Sequence, residues 1–299
     1  MALLLSSELL RISILSGYDI RFQELVSTWL IIMVSVVILC FAVSEMTGNY
    51  SQVDKLWSLM PIAYSWLTVA AFPSPRVILM ASLVTMWGLR LSYNFYRKGG
   101  YSIVPWKGEE DYRWKILRES PELKGRIRFG LFNLLFISLY QNVLILLFST
   151  PLLLAALNSG NEMNAVDIAA AMLMLVFIVT ESIADNQQFR FQQEKKELHK
   201  GDRVYSSSLP QGFLSEGLWK YVRHPNFTSE QAIWICFYFF GVAASGRWIN
   251  FTLAGPALLV LLFFGSSTMT EKISSGKYPE YATYMKNVPR FLPRLFRRQ

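Results

Sequence analysis

The segment with the densest chemical potential is Gly217-Leu218-Trp219-Lys220-Tyr221-Val222-Arg223-His224-Pro225-Asn226-Phe227, followed by Glu230 and Trp234. Arg223 and His224 can bind phosphate or carboxylate. Asn226 can read an amide or a ribose, and Pro225 fixes the turn that feeds the next helix. A cofactor with phosphates and a flat ring suits this set. The alternative is a basic membrane anchor with aromatic residues at the interface.

Four further groups share helical faces. Asp54, Trp57, Ser58 and Pro61 follow i, i+3, i+4, i+7 spacing, as do Trp87, Arg90, Asn94 and Arg97. Glu181, Asp185 and Gln188 line one face, and Glu230, Trp234 and Tyr238 repeat every fourth residue. Ionisable residues at membrane depth are costly and by default face a cavity or a partner. Each also has a plainer explanation: Arg90 can snorkel to the interface, Asp54 can cap a helix, Asp185 can be a paired structural charge, and Gln141 with Asn142 can join helices.

Common soluble machinery is absent. There is no Gly-x-Gly-x-x-Gly, phosphate-binding loop, His-Glu-x-x-His or Gly-x-Ser-x-Gly. Only two histidines, His199 and His224, are present, so no metal centre is expected. Cys40 and Cys236 lie far apart in apolar runs and suggest no disulfide framework.

The elements that must hold these residues are apolar. Of 299 residues 53% are hydrophobic and 17% charged, against about 25% charged in soluble domains; the mean hydropathy is +0.30. Spans of about 20 apolar residues are expected at Val26–Ser44, Leu56–Phe72, Val77–Tyr96, Phe129–Leu154, Val166–Ala184, Ala232–Ala244 and Ile249–Phe264. The expected fold is therefore an all-α polytopic membrane bundle of about seven helices. The first twenty residues read as an interfacial leader, so residues 1–50 hold a leader and first span, and residues 51–299 the main membrane domain.

The net charge of +8 reads as topology. Arg97–Arg128, Arg190–Arg223 and Lys272–Arg298 hold 23 of the 29 lysines and arginines. Positive residues mark cytoplasmic loops, which places the amino terminus outside and the carboxyl terminus in the cytoplasm. Nucleic acid is not an expected partner. The four polar faces then open toward the cytoplasm.

Taken in order, Asp54-Lys55-Leu56-Trp57, Trp87-Gly88-Leu89-Arg90, Gly108-Glu109-Glu110-Asp111-Tyr112-Arg113, the Gly217–Asn226 segment with Glu230 and Trp234, Tyr278-Pro279-Glu280-Tyr281, and Val288-Pro289-Arg290-Phe291-Leu292-Pro293 carry a resemblance. The chain after about Val53 resembles the steroid 5-alpha-reductase superfamily, in its widespread integral-membrane branch, a domain of unknown function. That resemblance implies NADPH bound from the cytoplasmic side and reduction of an activated carbon–carbon double bond in a sterol-like or other membrane lipid. By matching positions it implies a cofactor site of Glu181, Asp185, Asn226, Glu230, Tyr278 and Tyr281, with Arg190, Arg203, Arg223 and His224 toward phosphates and Trp219 and Tyr221 in the same motif. Asp54, Trp87 and Arg90 would stabilise charge on the substrate carbonyl, Asp54 needing burial to raise its pKa.

Trp87 stands where the steroid enzymes place a tyrosine, Ser229 where the motif has glycine, and Glu181 where asparagine is common. Membrane methyltransferases of the isoprenylcysteine and phospholipid type also carry Tyr-x-Arg-His-Pro and a Val-Pro-Arg-x-x-Pro tail, and bind S-adenosylmethionine; they tend to have a Glu-Glu pair where this chain has Glu271. A non-catalytic lipid-binding protein is the third reading. An integral membrane location is expected, the inner membrane of a bacterium or the endoplasmic reticulum of a eukaryote.

Overall fold

A computed structural model describes residues 17–104, 106–198 and 208–294; most of the expected leader, His199 and Arg203 lie outside them. The described residues are helical, with no strand among them. The chain divides into two compact units, Met1–Ala171 with Phe237–Gly255, and Met172–Cys236 with Pro256–Gln299.

The first unit opens with α1 (Ile20–Thr47). Asp19 caps it by accepting from the Arg21 N–H at 3.1 Å, and Gly48, at φ +69°, ends it by donating to the Ser44 carbonyl. Two short helices follow, α2 (Gln52–Leu56) and α3 (Leu59–Ala71). The Asp54-to-Pro61 face expected on one helix is thus interrupted at Trp57 and Ser58. Pro61 explains the break, since it has no N–H for the Trp57 carbonyl and its ring crowds that group. Ser51 is the N-cap of α2, so Asp54 lies inside the first turn and is not the cap.

Next, α4 (Pro75–Arg97) starts from the Ser74 cap with Pro75 in its first turn. It packs on α3 through Gly88, where a Cβ would stand 2.6 Å from Ile62 Cδ1 and 2.7 Å from the Ser58 carbonyl oxygen. The same contact brings the Ser58 and Ser92 hydroxyls to 2.7 Å. At the start of α4, Arg76 is buried and donates to both Asp167 oxygens at 2.8 and 2.9 Å and to the Asn161 and Glu162 carbonyls. After α5 (Tyr112–Glu119) the chain runs as α6 (Arg126–Phe132), a π-helical stretch (Asn133–Tyr140), α7 (Gln141–Ser149) and α8 (Pro151–Leu157). Asn133 donates to Glu45 of α1 at 2.8 Å.

The second unit is built from most of α9 (Ala165–Leu198), the first half of α10 (Pro225–Ser245), α11 (Ala254–Lys277) beyond its first turn, and α12 (Tyr281–Asn287). Its cores are aromatic: Phe213 against Tyr281, Tyr284 and Val288, and Phe191 with Leu209 and Leu214.

Among the described residues four stretches are long and apolar enough to cross a membrane: Ile20–Thr47, Arg126–Leu157, Ala165–Glu197 and Phe251–Lys277. The other three expected spans are helical but shorter or more polar. With 13 residues, α3 reaches about 20 Å at 1.5 Å per residue. Arg76, Arg90 and Arg97 lie on α4, and Glu230 on α10.

Candidate functional site

Two polar clusters carry the expected residues, one in each unit. In the first, the Gly108–Arg113 segment lies along Asn49–Lys55. Asn49 donates to the Gly108 carbonyl at 3.0 Å, the Tyr50 N–H to Glu110 at 2.9 Å, and the Asp111 N–H to the Ser51 hydroxyl at 2.9 Å. Two motifs more than fifty residues apart in sequence therefore form one structure. Lys55 is buried and donates to Gln52 and to the Lys107 carbonyl.

Asp54 is partly buried and accepts from the Trp114 indole Nε1 at 3.0 Å. Desolvation raises its pKa first, and the Asp111 charge adds to this; hydrogen bonds from Trp114 and Ser51 and the Arg113 charge oppose it. Asp111 moves the other way. Burial opposes its ionisation, but Arg113, whose Nε and a terminal nitrogen reach its two oxygens at 2.9 and 2.7 Å, holds it below its ordinary value. A carboxyl that holds its proton more tightly than usual, beside a carboxylate that gives its proton up more easily, is the pairing of environments used to set an acid apart from its neighbour.

Trp87, fully buried, and Arg90, partly buried, lie one turn apart on α4. Farther along the helix Arg97 donates to Asn94 at 2.9 and 2.8 Å. Trp114, which belongs to none of the sequence motifs above, is the indole that touches Asp54.

In the second unit, Arg223 and His224 are engaged within the protein. Glu271 Oε1 accepts from Arg223 Nε at 2.7 Å and lies 3.0 Å from His224 Nε2, while Arg290 donates to Oε2 at 2.7 Å. Arg223 also donates to the Met285 and Val288 carbonyls. The backbone N–H groups of Arg223 and His224 meet the Pro289 and Arg290 carbonyls at 2.9 and 3.2 Å. The Arg-His-Pro turn and the Val-Pro-Arg tail are thus one element tied by Glu271.

Gly217 adopts φ +61° where a Cβ would stand 2.4 Å from Gln187 Nε2. The adjacent Leu218 N–H donates to Gln187 at 3.0 Å, and Trp219 donates to the Ala184 carbonyl at 3.3 Å. Tyr221 is exposed. Lys195 donates to the Gly212 carbonyl at 2.6 Å and to the Tyr278 hydroxyl at 2.7 Å. Burial would raise the Tyr278 pKa, but Lys195 and Lys277 outweigh it and lower the phenol. Tyr281 is buried against Phe213, ring centroids 5.0 Å apart.

Glu181, Asp185 and Glu230 are each 4% exposed. Glu181 and Asp185 stand one turn apart on α9, and Asn226 and Glu230 one turn apart on α10. Trp234 donates to Glu230 at 3.2 Å. Asn226 Oδ1 is buried and has no hydrogen-bond partner among the described residues. Arg190 is exposed, and nine residues at 100° each put it about half a turn from Glu181, on the other side of α9.

The buried oxygens on this unit suit a ligand that presents N–H or O–H donors. Arg223 and His224 are taken by Glu271 and are less directly placed for an anion. No metal-binding group of histidine, cysteine and acidic residues occurs among the described residues.

No solved structure matches the chain. An uncharacterized protein of Schizosaccharomyces pombe is 38% identical over 268 residues, spanning 85% of this chain and 76% of that protein. Residues 40–288 match the family described as "protein of unknown function (DUF1295)". With most of its length matched in this way, the chain belongs to the DUF1295 family.

Proposed function

We propose that the protein is a seven-span, NADPH-dependent reductase of an activated carbon–carbon double bond in a membrane lipid, with its amino terminus outside and its carboxyl terminus in the cytoplasm. The observation that carries this reading is the buried acceptor set of the second unit, above all Asn226 Oδ1, which meets no donor among the described residues. A buried acceptor left bare costs about 1–3 kcal/mol, a cost that a carboxamide N–H or ribose hydroxyl removes. Glu181, Asp185 and Glu230 accept from the remaining donors, and Tyr278 with Lys195 caps the ligand. Lys195, on the Glu181 face of α9, supplies the cation for the phosphates.

The chemistry that NADPH would supply when bound is a hydride for a conjugated carbon–carbon double bond. In the first unit, Asp54, whose burial strengthens its hold on a proton, would donate a hydrogen bond and then that proton to the substrate carbonyl oxygen, with Trp87 and Arg90 stabilising the developing charge. The apolar spans support a substrate that lies in the membrane.

One observation favours a second reading, an S-adenosylmethionine-dependent methyltransferase. Three buried acids, with Arg223 and His224 turned onto Glu271, suit a ligand that brings positive sulfonium and ammonium groups. Titrating the full chain in lipid nanodiscs with each cofactor separates the two. NADPH binding that weakens at least about tenfold in Asn226→Ala, the equivalent of one lost hydrogen bond, supports the reductase. Binding of S-adenosylmethionine alone overturns it in favour of the transferase, and binding of neither leaves a lipid-binding protein.

A further inference from the structure

We propose that Trp114 and the Gly108–Arg113 loop are the positioning element of Asp54, the indole fixing which carboxyl oxygen carries the proton and the Asp111 carboxylate fixing the charge beside it. The inference rests on Asp54 acting as the proton donor described above.

The argument starts at two glycines. Gly99 at φ +84° and Gly108 at φ +118° let the chain double back after α4, so that the Glu109 N–H meets the Gly99 carbonyl at 2.9 Å. A Cβ at Gly108 would stand 2.4 Å from the Gly100 carbonyl oxygen, so a larger residue there opens the turn. The fold-back delivers Asp111 to Ser51. Asp111 then caps α5, accepting from the Arg113 N–H at 2.9 Å. The cap sets the rotation of α5, which turns Trp114, 6% exposed, onto Asp54 Oδ2 at 3.0 Å.

An indole N–H only donates. The oxygen it meets therefore serves as acceptor in the neutral acid, and the proton sits on Oδ1. The groups around this carboxyl are Asp111, Arg113 and Trp114 from the loop and α5, Ser51 and Lys55 from its own segment, and the Cys40 thiol of α1. Among them Asp111 disfavours the Asp54 anion and Trp114 favours it. Removing each must therefore move the Asp54 proton in opposite directions, which a merely structural contact would not do.

The test is infrared titration of the full chain in nanodiscs, with the Asp54 carboxyl band identified as the one missing in Asp54→Asn. Trp114→Phe removes a donor to the anion and should raise the midpoint. Asp111→Asn removes the neighbouring negative charge and should lower it, each by about one pH unit, a tenfold change in proton affinity. Asp111→Glu should restore the wild-type midpoint. Midpoints that stay put in both variants, or move the same way, overturn the proposal. Should Trp114→Phe fail to fold by circular dichroism, the Asp111→Asn and Asp111→Glu pair decides alone. No cofactor enters the measurement, so failure of the reductase reading would show as absent NADPH binding with the titration intact.

Discussion

Glu271 holds Arg223 through Nε at 2.7 Å, and it is itself 2% exposed. One carboxylate near the end of a helix long and apolar enough to cross a membrane thereby joins the Arg-His-Pro turn to the carboxyl-terminal tail, because Arg290 occupies its other oxygen. Removing one partner of a buried pair strands the other, at a cost of about 3–5 kcal/mol. Glu271→Gln should lower the apparent melting temperature strongly and expose the tail around Arg290 to trypsin in intact nanodiscs. Arg290→Gln, which removes a partly exposed group, should cost less. Equal protease resistance in Glu271→Gln and wild type would count against the clasp.

Arg76 and Asp167 form a second closed pair, 1% and 0% exposed at the side chains. Asp167→Asn should destabilise by about 3–5 kcal/mol, while replacing both with apolar residues, Arg76→Met with Asp167→Leu, should recover much of the loss. Arg76 also holds the Asn161 and Glu162 carbonyls, so recovery will stop short of wild type. A double-mutant cycle in unfolding measurements gives the coupling. Additive losses would mean that the pair is not an energetic unit.

Gly88 tests the close packing of α3 on α4. Its missing Cβ would meet a backbone oxygen, Ser58 O, at 2.7 Å, and backbone cannot rotate aside as a side chain does. Gly88→Ala should therefore part the helices and cost about 1–3 kcal/mol, with Gly88→Val worse. Wild-type thermal stability in Gly88→Ala would refute the contact.

The polar faces were legible in the sequence because helical spacing is local. Glu181 with Asp185 and Glu230 with Trp234 lie within one turn of each other, and both pairs are buried. Partnerships across the chain were not legible: Arg223 and Glu271 are 48 residues apart, and an arginine before histidine and proline looks the same whether it awaits a phosphate or holds a glutamate. Trp114 illustrates the same limit, being one aromatic among many until the Asp111 cap sets its rotation. Pro61 is the reverse case, a local signal strong enough to interrupt the expected helix between Leu56 and Leu59.

Asp54 gives the last prediction, in which stability and activity part. Desolvation and Asp111 place its folded pKa above the unfolded value, about 3.9. The folded protein then binds the extra proton, and the stability this residue contributes is full below the unfolded value and is lost as pH rises through the folded one. Asn mimics the neutral acid without that loss. Asp54→Asn should therefore melt above the wild type at neutral pH, with a gap that opens from about pH 4 upward and levels off above the folded pKa. It should also abolish turnover while leaving NADPH binding in place, since the cofactor residues assigned above lie on α9, α10 and the tail. Melting curves from pH 4 to pH 8 that run parallel for the two proteins would show that Asp54 carries no desolvation penalty, and unchanged turnover would remove it from the chemistry.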